Sequence, residues 1–201
     1  MLLRLPVFLR PLARHMLRKP VKTAMLHMPL AQYAAEHHVA ILAGTDVNTP
    51  RFVDTVAQRQ PELGVVANFG QKLGPDLLAL PRHGWINFHP SLLPRYRGPT
   101  PLGHILLNRE TVSGATWHRV ASAFDNGDIL AQKTFAVGDR DTVKDLDRKS
   151  VQLAIEMLGP LIEDIARRDV TPVPQDEANA SYFGKLTPRQ KERLAMMGKL
   201  T

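Results

Sequence analysis

An α/β fold, with a mostly parallel sheet and helices on its faces, is the class that this 201-residue sequence predicts. Two strand-length apolar runs, Leu63 to Phe69 and Gly84 to Phe88, are separated by a segment with helical spacing, and strands alternating with helices mark a parallel sheet. A third observation is where polar side chains gather. Asn87 and His89 stand where the second run stops at Pro90, and in open α/β sheets ligands collect beyond the carboxyl ends of the strands.

Residues 1–22 mix Leu, Val and Phe with Arg4, Arg10, Arg14, Arg18, Lys19 and Lys22, and the first acidic residue is Glu36. All but one unit of the formal net charge of +7 belongs to this segment, because the 20 remaining basic residues face 19 acidic ones. The body therefore lacks the charge for a broad nucleic-acid-binding face. Arg10, Arg14 and Arg18 are four apart and share one side of a helix, which suits contact with RNA or a membrane surface, or a presequence. The absence of Cys excludes disulfides, thiolate catalysis and Cys-based zinc sites, and fits a reducing, cytoplasmic setting. No apolar run approaches the roughly 20 residues of a membrane span, and no metal-binding constellation is visible.

From Pro29, which suits a first helical turn, a helix is expected over Leu30 to His37. Val39 to Leu42 reads as a short strand. Thr49-Pro50 opens a second helix with Phe52, Val53 and Val56 inward. The Leu63–Phe69 strand leads to a turn over Gly70 to Pro75 and a helix over Asp76 to Leu80. After the Asn87/His89 strand and a Pro-bounded loop, a helix is expected around Leu102 to Asn108. Gly114 to Val120 and Gly127 to Phe135 are β-rich, and the two strands are expected to flank the Asn87/His89 strand. Thr142 begins a long helix whose apolar stripe is Leu146, Val151, Leu153, Ala154, Met157, Leu158 and Leu161. A last helix follows Pro188.

Side chains alternate along a strand, so Asn87 and His89 share a face while Phe88 points away. Asp125, in the loop between the two later strands, is placed to reach the His89 ring. A carboxylate there would fix the tautomer and raise the ring's pKa, giving an acid/base near neutrality. An Asp before an Asn-Gly pair also caps turns, and that reading stays open beside the first. Asn87 can donate an N–H to an oxygen that becomes negative in a tetrahedral intermediate. No nucleophile is apparent: Ser91 lacks a triad setting and the Gly-x-Ser-x-Gly elbow is absent. An acid/base and an oxyanion donor without a nucleophile point to acyl transfer between two bound substrates, an amine attacking.

Four ordered motifs carry a resemblance: Asn87-Phe88-His89-Pro90-Ser91-Leu92-Leu93-Pro94, Arg95-Tyr96-Arg97-Gly98, Ser113-Gly114-Ala115-Thr116-Trp117-His118 and Asp125-Asn126-Gly127-Asp128-Ile129-Leu130. Together they resemble the catalytic domain of folate-dependent formyltransferases, with methionyl-tRNA formyltransferases the nearest pattern and sugar-nucleotide N-formyltransferases beside it. The resemblance runs from about Pro29 to Thr187 and includes Ala180 to Thr187, similar to the segment that closes that domain. It implies a Rossmann-like domain over 29–170, closed by 171–201 and preceded by a basic segment over 1–28. It implies 10-formyltetrahydrofolate as formyl donor and a primary amine as acceptor, either charged initiator tRNA or an amino-sugar nucleotide. Asn87, His89 and Asp125 match the family's catalytic Asn, His and Asp. The folate would be gripped by the loop holding Phe69, Gly70, Gln71 and Leu73 and by the loop from Ala121 to Phe124, with Ser91 and Leu92 in a rigid wall beside the reacting carbon. His118 is expected to be structural, lying a full loop away from Asp125.

The sequence departs from the family at both ends. The resemblance implies a first strand–helix unit that is missing or altered over 1–28, a unit that commonly helps to bind the acceptor. It also implies that a C-terminal β-barrel which helps to hold tRNA is missing. Hydrolysis of the folate donor and a non-catalytic folate-binding role are the alternatives this leaves.

Overall fold

The computed structural model describes residues 30–42 and 46–200. The expectations for residues 1–28, both the basic helical segment and the altered first unit, lie outside the described residues. The described chain falls into two compact units, one reaching to Ile86 and one beginning at Asn87.

In the first unit, helix α1 (Leu30–Glu36) is followed by residues 39–42, which form no strand; Ile41 there is 55% exposed. Among the described residues no strand pairs with this run, and apolar residues alone do not make a ladder. Helix α2 (Pro50–Ala57) begins as expected, with the Thr49 hydroxyl accepting from the Phe52 N–H at 3.4 Å and Phe52 and Val56 buried. Strand β1 (Gly64–Val66) is shorter than its apolar run. Its start must be Gly, since a Cβ on Gly64 would lie 2.1 Å from the Trp85 ring. Helix α3 (Pro75–Leu78) leads to strand β2 (Trp85–His89), and the Trp85 indole donates to the Leu77 carbonyl at 2.9 Å. Asn48 fastens the turn before α3: its Nδ2 donates to the Lys72 carbonyl and its Oδ1 accepts from the Gly74 N–H.

In the second unit, helix α4 (Pro101–Leu107) is buried along its whole length and precedes strands β3 (Val112–Arg119) and β4 (Ile129–Ala136). The four strands form one sheet in the order β1-β2-β3-β4, with β3 and β4 antiparallel. The later strands thus do not flank β2; β4 lies beyond β3 as a hairpin partner, because the loop joining them, at 120–128, returns the chain directly. The register steps by one residue after Trp117: Trp117 faces Ala131 while His118 faces Ile129, leaving Leu130 over.

Helix α5 (Val143–Arg167) packs across β3 and β4. It begins in a full capping box, Thr142 with Asp145, and buries Leu146, Ser150, Ala154, Met157, Leu161 and Ile165. Helix α6 (Pro188–Met196) adds Leu194 to a core of Tyr96, Leu102, Ile105, Leu106, Leu107 and Leu146. The motif residues 91–94 are nailed to the hairpin. The Thr116 hydroxyl donates to the Ser91 carbonyl at 2.6 Å, and Gln132 Nε2 donates to the Leu93 carbonyl at 3.0 Å.

Candidate active site

His89 closes β2 and is 4% exposed. Its Nε2 lies 2.8 Å from the Tyr96 carbonyl, which can only accept, so Nε2 carries the hydrogen. The bare Nδ1 faces Asp125 Oδ1 at 3.6 Å. His118, two per cent exposed on β3, repeats the arrangement. Its Nδ1 donates to the Arg119 carbonyl at 2.8 Å, leaving Nε2 to accept from Asn87 Nδ2 at 3.0 Å, and this Nε2 is 3.7 Å from the same Asp125 oxygen. Asn87 Nδ2 also donates to Asp125 Oδ1, at a long 3.5 Å. The Gly98 N–H holds the other carboxylate oxygen at 2.9 Å. Three side chains from two strands and the Gly98 N–H therefore meet on one carboxylate.

Burial pushes the His89 imidazole down, and this outweighs the upward pull of the Asp125 carboxylate and the Tyr96 carbonyl. The sequence-based expectation of a raised ring pKa is thus corrected: the carboxylate acts in the expected direction, but desolvation of a ring in the sheet's interior is larger. Burial also pushes Asp125 up, yet His118, His89 and the Gly98 N–H together hold its carboxyl below the usual carboxylate range. At neutral pH the pair is a neutral imidazole facing an ionised carboxylate.

Asn87, His89 and Asp125 are brought together as the sequence suggested. His118, expected to be structural and a full loop away from Asp125, stands 3.7 Å from that carboxylate. It is seven positions before Asp125, but the loop folds back so that both face His89. The signal was available in the strand alternation, which puts Thr116 and His118 on one face of β3.

Among residues expected to meet a folate, Ala121 is half-buried and Phe124 is 58% exposed in the loop that ends at Asp125. Ser91 is fully buried with its hydroxyl donating to the Arg95 carbonyl, and Leu92 packs over Gly114. In the first unit, Leu73 is a core residue and Phe69 is half-buried. Gln71 accepts from the Val47 N–H at 3.2 Å, and Gly70 is exposed with open space where a Cβ would stand. Among the described residues no group of His, Asp and Glu is arranged to hold a metal ion.

An imidazole, a carboxylate and an amide without a nucleophilic side chain are the equipment for moving an acyl group between two bound partners. Comparisons with known proteins give the family and the fold. The formyl transferase family model matches residues 15–159, and the chain belongs to that family. It is 34% identical over 160 residues to the methionyl-tRNA formyltransferase of Thermobifida fusca (strain YX), a match covering 80% of this chain and 52% of the relative. The chain thus spans about half the length of the curated relatives it matches. Among solved structures, HypX from Aquifex aeolicus in complex with tetrahydrofolic acid aligns with a TM-score of 0.63 at 21% identity, over 69% of this chain and 24% of that one. WlaRD, a sugar 3N-formyl transferase solved with dTDP and 5-N-formyl-THF, aligns with a TM-score of 0.61 at 22% identity, over 78% of this chain and 53% of the other. These likenesses identify the α/β formyltransferase fold.

Proposed function

We propose that this chain transfers a formyl group from 10-formyltetrahydrofolate to a primary amine, in the manner of a methionyl-tRNA formyltransferase. The observation that carries the reading is the meeting of Asn87, His89 and Asp125, with Asn87 Nδ2 3.5 Å and His89 Nδ1 3.6 Å from Asp125 Oδ1. A folate donor is supported by family membership and by the folates bound in HypX and WlaRD. The exposed loop from Ala121 to Phe124, which runs into Asp125, offers backbone for a pterin to read.

Each residue has a distinct task. Asn87 swings the N–H that it lends to Asp125 at 3.5 Å toward the oxygen that becomes negative as the amine adds to the formyl carbon. One such donor is worth roughly 10²–10³ in rate. His89 acts through Nδ1, because Nε2 is tied to the Tyr96 carbonyl. It takes the proton shed by the amine nitrogen and returns it to the departing folate nitrogen, while the Asp125 carboxylate stabilises the imidazolium between the two transfers. Residues 91–94 keep water from the reacting carbon.

The test is release of tetrahydrofolate in the presence of methionyl initiator tRNA, compared with amino-sugar nucleotides and with no acceptor. Release that requires the charged tRNA supports the proposal. Release with the sugar nucleotides alone moves the acceptor to that class. Release without any acceptor makes the chain a hydrolase, and no release in any arm overturns the transfer reading. No helix among the described residues is long and apolar enough to cross a membrane, and a cytoplasmic setting with tRNA as acceptor is part of the same proposal.

A further inference from the structure

The Asp125 loop is gripped by a side chain that no step of this transfer uses. Gln175 lies on the segment after α5, half-buried, and its Nε2 donates to two carbonyls of the loop, Asp125 O at 2.9 Å and Gly127 O at 2.7 Å. Its Oε1 accepts from Arg97 Nε at 3.0 Å and Nη2 at 2.8 Å. A guanidinium only donates, so Oε1 must face Arg97 and Nε2 must face the loop; the amide has one orientation. Arg97 is itself buried and forks onto the Glu177 carboxylate at 2.7 and 3.0 Å.

The neighbouring backbone reinforces the grip. Val173 exchanges both backbone hydrogen bonds with Ile129, each 2.8 Å, just beyond the loop. Gly98, the residue after Arg97, supplies the N–H that holds Asp125 Oδ2. Asp125 has a φ of +55°, a left-handed conformation that Asp tolerates but does not prefer. Such a backbone persists when its surroundings fix it.

We propose that Gln175, aimed by Arg97, is a positioning residue that fixes the Asp125 loop so that the carboxylate stands opposite His89 Nδ1. The proposal rests on the reading of His89 and Asp125 as the proton-handling pair, and names what sets the distance between them. Glu177 only backs Arg97, so losing its charge leaves both Arg97 bonds to Gln175 in place.

The experiment compares wild type with Gln175→Met, which keeps the length but has no N–H, and with Glu177→Gln. The first readout is the titration of the His89 ring by NMR in protein carrying ¹³C-labelled histidine, which needs no activity. The groups that face this ring are the Asp125 carboxylate, the Tyr96 carbonyl and the His118 ring. In Gln175→Met the carboxylate drifts away, His89 loses its upward pull and titrates at lower pH than in wild type. Turnover falls on the order of tenfold to a hundredfold with KM for the donor nearly unchanged. Glu177→Gln keeps both values near wild type. An unshifted His89 in folded Gln175→Met, an unchanged kcat, or an equal loss in Glu177→Gln overturns the proposal. If Gln175→Met does not fold, Arg97→Lys, which keeps the charge but not the fork, must show the same downward shift. A wild-type protein without formyl transfer would defeat the functional reading, and the titration would still decide the role of Gln175.

Discussion

Asn87 has two N–H bonds, and three groups claim them: His118 Nε2, Asp125 Oδ1 and, in the proposed reaction, the oxyanion. The strand pattern identified Asn87 as a donor, but it gave no hint that His118 would occupy one of its hydrogens. That contact depends on how far β3 stands from β2, a distance set by packing rather than by any local pattern. Replacing Asn87 with Ala is expected to lower kcat by roughly 10²–10³, and to cost about 1–3 kcal/mol of stability by stranding the buried His118 Nε2, with the fold retained by circular dichroism. The ionisation of His89 gives a second prediction. Burial holds its pKa below the ordinary value, so the neutral, proton-accepting ring persists as the pH falls, and the acid limb of kcat/KM should lie below about pH 6.5. In Asp125→Asn the carboxylate's upward pull is gone, so the limb should move lower still as kcat drops by orders of magnitude. Asn is the suitable replacement, because it too accepts a left-handed backbone. A limb that moves upward would contradict this account of the pair.

Among the elements, those bounded by caps and prolines were legible in the sequence. Thr142 and Thr187 both cap the helices they precede, and Pro50, Pro75, Pro101 and Pro188 all stand in first turns. Elements that depend on a neighbour were less so: residues 39–42 form no strand, β1 is three residues long, and β4 pairs with β3 rather than with β2. Nothing local to a strand says which strand lies beside it. Thr116 shows how one such neighbour shapes the site. Fully buried on β3, its hydroxyl donates to the Ser91 carbonyl and accepts from Gln132 Nε2 at 2.8 Å, fixing the 91–94 loop that follows His89. Thr116→Val keeps the shape but strands these partners, and should cost about 1–3 kcal/mol in urea unfolding. Gly98→Ala should be worse, since its φ is +110° and a Cβ would lie 2.1 Å from the Phe183 carbonyl.

For the whole molecule, His89 and Asp125 couple the site to stability. The folded pKa of each lies below its unfolded value, so in both cases the unfolded chain binds protons first as the solution is acidified. The stability they supply is complete at neutral pH. It should begin to fall below about pH 6.5 through His89 and fall further below about pH 4 through Asp125. His89→Gln should flatten the first part of that decline in urea titrations between about pH 6.5 and 5, since Gln does not ionise. The bare Nδ1 of His89 has one more consequence, and it concerns what a ligand must bring. The pocket is short of one hydrogen: a lone pair looks at a negative oxygen across 3.6 Å. In the proposed transfer that nitrogen has to stay bare to take the proton shed during attack, and burial weakens it as a base. An acceptor must therefore arrive as the free amine, its ammonium form giving the surplus hydrogen to the medium. Calorimetric heats for acceptor binding would then differ between phosphate and Tris, two buffers whose own ionisation heats differ widely.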